Sequence, residues 1–314
     1  MNNNLQKLDF PDVYEFIEAI DSVINILQKE QRVTRHIVGG KINSGLIELD
    51  MPKNLVIVAD LHGDLRSIQH ILKEIDYENF LANHNNKLIF LGDYVDRGNH
   101  SIGVLYIVCY LKWKYPNSVI LMRGNHEAHM EFPFSSHDLP LKIIEYFGSD
   151  YEEIIRSKIS TLFQSLYLVT IIQNKLLLMH GGLPTEVEYD DFKKSIETTR
   201  LDNTYKKILE ELLWNDPRPI QNGENWEKSR RMYGRHFGVN ITKKWLTMSR
   251  TNIIVRGHEP CHGFKIDHDD KVLTLFSCKE SYPNFEAGYL LITKNQLQSI
   301  HNASDLVKYV RKIQ

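Results

Sequence analysis

The sequence predicts an α/β protein, and two observations carry this prediction. Short, wholly apolar runs recur along the chain from residue 55 onward, which is typical of strands that are covered on both faces. Helical patterns separate some of these runs, and the order strand, loop, helix, strand is that of an α/β core. The chain has 314 residues, of which 42% are hydrophobic and 25% charged, so it can bury a full core without a structural metal or disulfides.

The first predicted element is a helix. Apolar side chains recur at helical spacing between Pro11 and Lys29. Asp9 is the expected N-cap residue, and proline at position 11 suits the first helical turn.

Five apolar runs predict the strands of the core. They are residues 55–58, 88–91, 119–122, 176–179 and 253–255. Helices are expected after the first two runs, because apolar residues recur at helical spacing over residues 65–75 and 105–111.

Chemically active side chains follow all five predicted strands. They are Asp60 and His62, then Asp93, then Asn125 and His126, then His180, and finally His258. In α/β sheets, ligands bind beyond the carboxyl ends of the strands, so we expect these side chains to meet at one place. Glycines beside them permit a close approach of the backbone to a ligand.

Six of these residues favour a pair of divalent metal ions. They are Asp60, His62, Asp93, Asn125, His180 and His258. Such a cysteine-free set suits manganese, iron or zinc, and manganese is the expected metal. A single catalytic metal usually takes three protein ligands, so six ligands suit two metals about 4 Å apart that share one carboxylate.

A site of this kind favours hydrolysis of a phosphoester by direct in-line attack. Two divalent ions, two carboxylates and a hydroxide leave a charge of about +1, which attracts phosphate. His126 follows Asn125 and is expected to protonate the leaving group. Asp96 is the nearest carboxylate that could orient this imidazole, and Arg97 offers donors to phosphate oxygens.

Several blocks resemble the signatures of the phosphoprotein phosphatase (PPP) family of serine/threonine phosphatases, within the calcineurin-like metallophosphoesterase superfamily. The blocks are Asp-Leu-His-Gly at 60–63, Gly-Asp-Tyr-Val-Asp-Arg-Gly at 92–98, Arg-Gly-Asn-His-Glu at 123–127, His-Gly-Gly-Leu at 180–183, Leu-Trp-Asn-Asp-Pro at 213–217 and Val-Arg-Gly-His at 255–258. They occur in family order between about residues 55 and 290, and the block at 92–98 is highly specific.

The resemblance implies a fold and an activity. The fold would be a central β-sandwich flanked by helices, in four layers. Residues 46–314 would form a single metallophosphatase catalytic domain, preceded by an N-terminal helical extension of residues 1–45. The activity would be removal of phosphate from phosphoserine and phosphothreonine in phosphoproteins, through attack by a water or hydroxide held between the metals.

The resemblance also implies a role for each site residue. The metal ligands would be Asp60 and His62 for the first metal, Asp93 as the bridge, and Asn125, His180 and His258 for the second. His126 would be the general acid, supported by Asp96. The residues that bind phosphate would be Arg97, Arg231 and Tyr282.

One departure from the family pattern keeps an alternative open. The loop 277–284, which carries Tyr282, is one residue longer than the family loop. This loop shapes access to the metals in the family. A small-molecule phosphoesterase of the same superfamily, such as a dinucleoside polyphosphate hydrolase or a phosphodiesterase, is therefore the alternative function.

Composition limits the expected partners. The net charge is −2 and the pI about 6.7, which argues against a nucleic-acid partner. No stretch of 18 apolar residues occurs, so no membrane partner is expected. The three sparse cysteines and a start without an apolar signal core predict a cytoplasmic location. The resemblance implies a phosphoprotein substrate as the expected partner and does not identify a regulatory subunit.

Overall fold

The computed structural model describes residues 10–198, 203–221 and 224–314. Its helices are α1 (Val13–Lys29), α2 (Leu65–Glu74), α3 (Tyr77–Ala82), α4 (Ser101–Lys114), α5 (Leu139–Phe147), α6 (Glu152–Ser165), α7 (Tyr189–Thr198), α8 (Asn203–Trp214), α9 (Val239–Ser249), α10 (Lys294–Ser299) and α11 (Ala303–Val307). A π-helical turn, Glu30–Thr34, extends α1, and 3-10 turns cover His126–Ala128 and Ser149–Tyr151.

The strands form three sheets. They are β1 (His36–Ile37), β2 (Gly40–Asn43), β3 (Leu46–Leu49), β4 (Asn54–Val58), β5 (Asn86–Phe90), β6 (Val119–Leu121), β7 (Val169–Ile172), β8 (Leu176–Met179), β9 (Asp216–Pro217), β10 (Trp226–Lys228), β11 (Arg235–Phe237), β12 (Ile253–Arg256), β13 (Phe264–Asp267), β14 (Val272–Leu275), β15 (Ala287–Thr293) and β16 (Val310–Ile313). The sheet orders are β1-β2-β3-β7-β8-β12-β14-β13, β16-β15-β4-β5-β6, and the small β10-β11-β9.

The two large sheets pack face to face. Strands β4, β5 and β6 are parallel, as are β8, β12 and β14. Along β8, Leu176 and Leu178 belong to the core cluster shared with β4 and β5, whereas Leu177 and Met179 pack into the cluster with α8 and α9. This alternation follows from the two-residue period of a strand and shows that both faces of the sheet are covered.

The predicted fold class is confirmed. Helices α2 and α4 cover the outer face of the five-stranded sheet, since their apolar residues join the cluster that contains β4 and β5. Helices α7, α8 and α9 cover the outer face of the eight-stranded sheet. The result is a central β-sandwich flanked by helices, in four layers, and the five predicted strands correspond to β4, β5, β6, β8 and β12.

The predicted first helix is confirmed as α1, which packs against α4 and α6. Its N-cap is Asp12, whose carboxylate accepts from the backbone N–H groups of Tyr14 and Glu15. Asp9, the residue predicted for this position, lies outside the described residues. An aspartate at the N-cap accepts hydrogen bonds from the free N–H groups of the first helical turn, and Asp12 has this role here.

The residues before position 46 contribute strands as well as a helix. Strands β1 and β2 lie at one edge of the eight-stranded sheet. Glu30 anchors the end of α1, because its carboxylate accepts from Lys112 Nζ at 2.8 and 2.9 Å and from the Tyr167 hydroxyl at 2.6 Å. The division into an extension of residues 1–45 and a domain of residues 46–314 stays a prediction.

The loops that matter for function leave the carboxyl ends of β4, β5, β6, β8 and β12 and touch one another. The backbone N–H groups of Leu61 and His62 donate to the carbonyl oxygen of Asp93, both at 2.9 Å, and Gly257 N–H donates to the carbonyl oxygen of His180 at 3.0 Å. Among the helices of the described residues, none combines the length and the apolar character needed to traverse a bilayer.

Candidate metal centre

The backbone is locally unusual where the functional side chains were predicted. Five of these residues adopt left-handed φ angles, namely His62 (43°), Asp93 (56°), Asp96 (67°), Arg97 (69°) and His258 (72°). Residues other than glycine rarely adopt this region, and such strain clusters at functional sites. The periodicity of the sequence carries no signal for these angles.

Glycines allow the loops after β4, β5, β6 and β12 to approach one another closely. Gly92 has a φ of 110°, and a Cβ atom there would lie 2.2 Å from the backbone nitrogen of Gly124. A Cβ atom on Gly257 would lie 2.3 Å from Asp60 Oδ1. Larger residues at these two positions would push the loops apart, so the glycines are required for the side chains between them to meet.

Glu127 fastens two of the loops. Its buried carboxylate accepts from the backbone N–H groups of Asp93 at 2.8 Å, Tyr94 at 2.9 Å and Gly124 at 2.8 Å. Burial and the neighbouring Asp93 carboxylate raise the pKa of Glu127 to about 7. The β5 loop and the β6 loop are therefore held together by one side chain beneath the site.

The centre of the site is the Asp93 carboxylate. Its Oδ2 atom lies 3.6 Å from His62 Nε2 and 3.4 Å from His180 Nε2. Asp60 Oδ2 lies 3.8 Å from the same His62 nitrogen. All four side chains are buried. Two carboxylates and two imidazoles thus point at a common space between three different loops.

The opposite side of this space is formed by Asn125 and His258. The side-chain oxygen of Asn125 lies 3.0 Å from His180 Nε2 and 2.8 Å from His258 Nδ1. The backbone N–H of His258 donates to Asp60 Oδ1 at 2.8 Å. This last bond joins the loops after β4 and β12, one from each large sheet.

The donor atoms fit a pair of metal ions. Asp60 Oδ2 and His258 Nε2 are buried without a hydrogen-bond partner, although buried polar atoms are normally satisfied. Within the described part of the chain, two groups have ligand atoms within 4.8 Å of one another, namely His62, Asp93 and His126, and Asp93, His180 and His258. Asp93 belongs to both groups, as expected of a shared carboxylate, whereas the first group contains His126, the predicted general acid, and not the predicted ligand Asp60.

The pKa values of His62, His258 and Asp93 suit metal binding. Burial and the neighbouring His126 lower the pKa of His62 to about 3, and burial lowers the pKa of His258 well below its ordinary value. Burial opposes ionisation of Asp93, yet the neighbouring His180 and His126 imidazoles hold its pKa well below the usual value. Neutral imidazoles and an ionised carboxylate are the forms that bind metal.

A histidine–aspartate pair lies beside the metal ligands. His126 Nδ1 lies 2.7 Å from Asp96 Oδ2, and Asp96 Oδ1 accepts from the backbone N–H groups of Asp138 and Leu139, both at 3.0 Å. Burial works against a charged imidazole, but the Asp93 and Asp96 carboxylates raise the pKa of His126. The other ring nitrogen, Nε2, lies 3.3 Å from Arg97 Nη2.

His137 is a residue that sequence reasoning missed. Its Nδ1 lies 2.9 Å from Asp96 Oδ2, and its ring stacks on His129 with centroids 4.0 Å apart. The position of His137, 41 residues after Asp96, belongs to no motif. The contact depends on how the loop 129–138 folds back over the site, which the sequence pattern does not reveal.

An open cleft lies above the buried residues. Its volume is about 280 Å³, and the predicted residues that line it are His62, Asp93, Arg97, Asn125, His126, Arg231, His258 and Tyr282. Arg97 Nη1 donates to the Tyr282 hydroxyl, and Arg231 Nε donates to Asp216 Oδ2 at 3.1 Å. Burial raises the pKa of Tyr282 to about 12, so its phenol is neutral.

The structure therefore places all the predicted site residues together. Asp60, His180 and Asp96 lie in the buried floor, and the others line the cleft. Asp216 was not predicted, but its carboxylate links the site to three cations, since Oδ1 accepts from Arg256 Nη2 at 2.8 Å and Oδ2 faces Arg231 and Arg218. The catalytic and binding roles of these residues stay predictions.

Comparisons with known proteins identify the family of the chain. The family model for calcineurin-like phosphoesterases matches residues 53–262. A probable serine/threonine-protein phosphatase of Encephalitozoon cuniculi is 28% identical over 270 residues, which is 84% of this chain and 56% of that protein. Serine/threonine-protein phosphatase 5 of Homo sapiens is 33% identical over 247 residues, which is 77% of this chain and 46% of that protein. The chain thus spans about half the length of these two relatives.

A solved structure has the same fold. It is a protein serine/threonine phosphatase from Saccharomyces cerevisiae, described as similar to human phosphatase PP5, with a TM-score of 0.73 and 24% sequence identity. The superposition covers 97% of this chain and 90% of that one. At this identity the likeness concerns the fold.

Proposed function

This chain belongs to the calcineurin-like phosphoesterase family, and from that premise we propose that it is a dimetal phosphatase that hydrolyses phosphoserine and phosphothreonine in phosphoproteins. The observation that carries the proposal is the meeting of Asp93 with five other ligand-type side chains, directly beside the His126–Asp96 pair. The serine/threonine phosphatases among its relatives support the substrate class.

Membership of the family implies divalent metal ions, and we assign their ligands from the donor atoms. Asp60 and His62 would hold the first ion, Asp93 would be shared, and Asn125, His180 and His258 would hold the second. The unpartnered Asp60 Oδ2 and His258 Nε2 support this assignment. We propose manganese, with iron or zinc as alternatives. When bound, two such cations supply a nucleophilic water at neutral pH and offset charge on the phosphate oxygens.

The rim of the cleft would bind the phosphate group. Arg97 is exposed and Arg231 is half-buried, so both guanidinium groups are open to a substrate. A guanidinium donates two parallel hydrogen bonds to phosphate oxygens, which fixes orientation as well as position. The neutral phenol of Tyr282, held by Arg97, would donate a further hydrogen bond. These contacts orient the phosphorus atom for in-line attack.

His126 would protonate the departing serine or threonine oxygen. Its Nδ1 is engaged by Asp96, while its Nε2 lies on the side of Arg97 and the cleft. In this structure Nε2 can only accept from the Arg97 guanidinium; when Arg97 binds phosphate instead, a proton at Nε2 is positioned to move to the leaving oxygen, and Asp96 stabilises the imidazolium before the transfer. His137 would position Asp96 through their shared hydrogen bond.

The proposal includes a domain division and a location. We propose that residues 46–314 form the catalytic domain and residues 1–45 an N-terminal extension, with the Glu30–Lys112 ion pair joining them. We also propose a cytoplasmic location, supported by cysteines that are free and buried at all three positions.

Substrate preference tests the proposal. One preparation of the full chain, loaded with manganese, is compared on phosphoserine, phosphothreonine and phosphotyrosine peptides of one sequence and on a dinucleoside polyphosphate. We expect the highest kcat/KM on the phosphoserine or phosphothreonine peptide. Faster hydrolysis of the dinucleoside polyphosphate would support the small-molecule phosphoesterase instead. The Asp93→Asn variant, purified identically, controls for contaminating phosphatases, because it lacks the shared carboxylate.

A further inference from the structure

A second cavity adjoins the catalytic cleft. Its volume is about 470 Å³, and Arg218, Arg230, Arg231, Glu227 and His236 contribute to its walls. Arg231 lines this cavity and the catalytic cleft alike, so the two spaces share one wall. The Asp216 carboxylate also lines the second cavity, and its Oδ1 lies 3.9 Å from His258 Nε2. The cavity is therefore next to the proposed phosphate position.

Most charges in this cavity already have partners. Arg218 Nη1 donates to Glu259 Oε2 at 3.0 Å and to the carbonyl oxygen of Pro217 at 2.7 Å. His236 Nδ1 lies 3.0 Å from Glu227 Oε1. These contacts stabilise the cavity wall. Both carboxylates that line the cavity are engaged, Glu227 with His236 and Asp216 with Arg256.

Two arginines are different. Arg231 uses only Nε on Asp216, so its two terminal nitrogens have no partner among the residues that the structure describes. Arg230 is exposed, and within the same residues its guanidinium has neither a hydrogen-bond nor an ion-pair partner. Consecutive arginines thus face a cavity beside the cleft with unused donors. Guanidinium donors in this state favour a carboxylate or a phosphate.

We propose that this cavity binds a second anionic group of the substrate, next to the phosphorylated residue, with Arg230 as the residue that selects it. The inference rests on the proposed phosphatase function and names its substrate class, namely phosphoproteins with an acidic or second phosphorylated residue beside the scissile phosphate. Neighbouring Cα atoms are about 3.8 Å apart, so a residue close to the phosphoserine reaches across the shared wall of Arg231.

Matched peptides test this inference. Phosphoserine peptides of one sequence carry glutamine, glutamate or a second phosphoserine at each position adjacent to the scissile residue. The readout is the ratio of kcat/KM for the anionic peptide to that for the glutamine peptide, with release of each phosphate followed separately. We expect a ratio of about two to five at low salt, falling as ionic strength rises, as for an exposed ion pair.

Variants assign the preference to one residue. In Arg230→Gln the ratio is expected to fall to about one, and in Arg230→Lys it should fall only in part, because the charge is retained while the paired donors of the guanidinium are lost. Arg156→Gln is the matched control, since Arg156 lies on α6 and lines neither cavity. It should keep the ratio of the unaltered chain.

The outcomes separate the two levels of the proposal. Turnover of all peptides with a ratio of one would overturn this inference and leave the phosphatase function intact. An undiminished ratio in Arg230→Gln would likewise overturn it. Failure to hydrolyse any phosphopeptide would overturn the proposed function and this inference with it. A preference only for the doubly phosphorylated peptide would support the inference and identify the second anion as phosphate. An equal preference for the glutamate peptide would support it and show that the cavity accepts a carboxylate as well as a phosphate.

Discussion

His137 binds the carboxylate oxygen of Asp96 that His126 also binds, with Nδ1 to Oδ2 distances of 2.9 and 2.7 Å. The Asp96 side chain is fully buried, whereas 15% of the His137 side chain is exposed. The hydrogen bonds from both imidazoles lower the pKa of Asp96 despite its burial. The carboxylate that orients the proposed general acid is thus itself held from a second direction.

Replacing His137 should impair the proton-transfer step selectively. In His137→Ala, Asp96 loses one donor and gains freedom to turn away from His126. We expect kcat on a phosphoserine peptide to fall by about tenfold, a part of the 10²–10⁴ that general acid catalysis contributes. Hydrolysis of p-nitrophenyl phosphate, whose leaving group needs little protonation, should fall far less. Steady-state kinetics on both substrates measures the difference.

The His137→Asn variant is the matched control. Its amide nitrogen can take the place of Nδ1, so the phosphoserine rate should largely return. A merely structural role would predict equal losses on both substrates in the alanine variant and no rescue by asparagine. Either of those results would remove His137 from the positioning of Asp96.

Replacing His126 should separate metal binding from turnover. His126→Asn keeps the six proposed ligands, so we expect two metal ions to remain bound. Without an acid, kcat on a phosphoserine peptide should fall by about 10²–10⁴, and the loss should shrink as the leaving-group pKa falls. Metal analysis and a series of aryl and alkyl phosphates measure both effects. An unchanged rate on alkyl phosphates would show that another group donates the proton.

The fold and the meeting of the candidate ligands at one place could be predicted from the sequence, because both depend on local pattern and on strand order. Residues 88–90 of β5 and all of β8 are apolar, and the polar residues Asp93 and His180 follow at the ends of these strands. Because ligands bind beyond the carboxyl ends of strands in α/β sheets, the sequence predicts that these distant segments meet, even though it contains no information on individual contacts. That rule holds for both sheets of this sandwich, so residues from each sheet meet at Asp60 and His258.

Contacts between loops and helices were not predictable in the same way. The Asp96–His137 bond, the position of Asp216 between arginines, and the Glu30–Lys112 pair each join segments that share no periodic pattern. Lys112 illustrates the reason, since a lysine in a helix is usually solvated and this one is fully buried. Only the packing of α1 on α4 reveals its partner.

Removing one partner of that buried pair should destabilise the protein. Lys112→Met leaves the Glu30 carboxylate with the Tyr167 hydroxyl alone, in a place where 11% of its side chain is exposed. Breaking a buried ion pair from one side costs about 3–5 kcal/mol, so the free energy of unfolding from urea titration should fall by that order. The double variant Glu30→Gln, Lys112→Met should recover part of the loss. A loss below about 1 kcal/mol would mean that water reaches Glu30 and replaces lysine.

Removal of metal should abolish activity, and the metal content of the ligand variants should show which residues bind one ion and which bind both. Exhaustive chelation is expected to eliminate hydrolysis of p-nitrophenyl phosphate, and added manganese to restore it, because the proposed nucleophile requires the metals. We expect about two ions per chain in the unaltered protein and about one in His258→Ala. Asp93→Asn should bind less metal than His258→Ala, since the Asp93 carboxylate faces both ligand groups. Circular dichroism establishes that the variants are folded, so that lost metal is not lost structure. Full activity after chelation, or two ions retained without Asp93, would contradict the shared site, because no other carboxylate belongs to both ligand groups among the described residues.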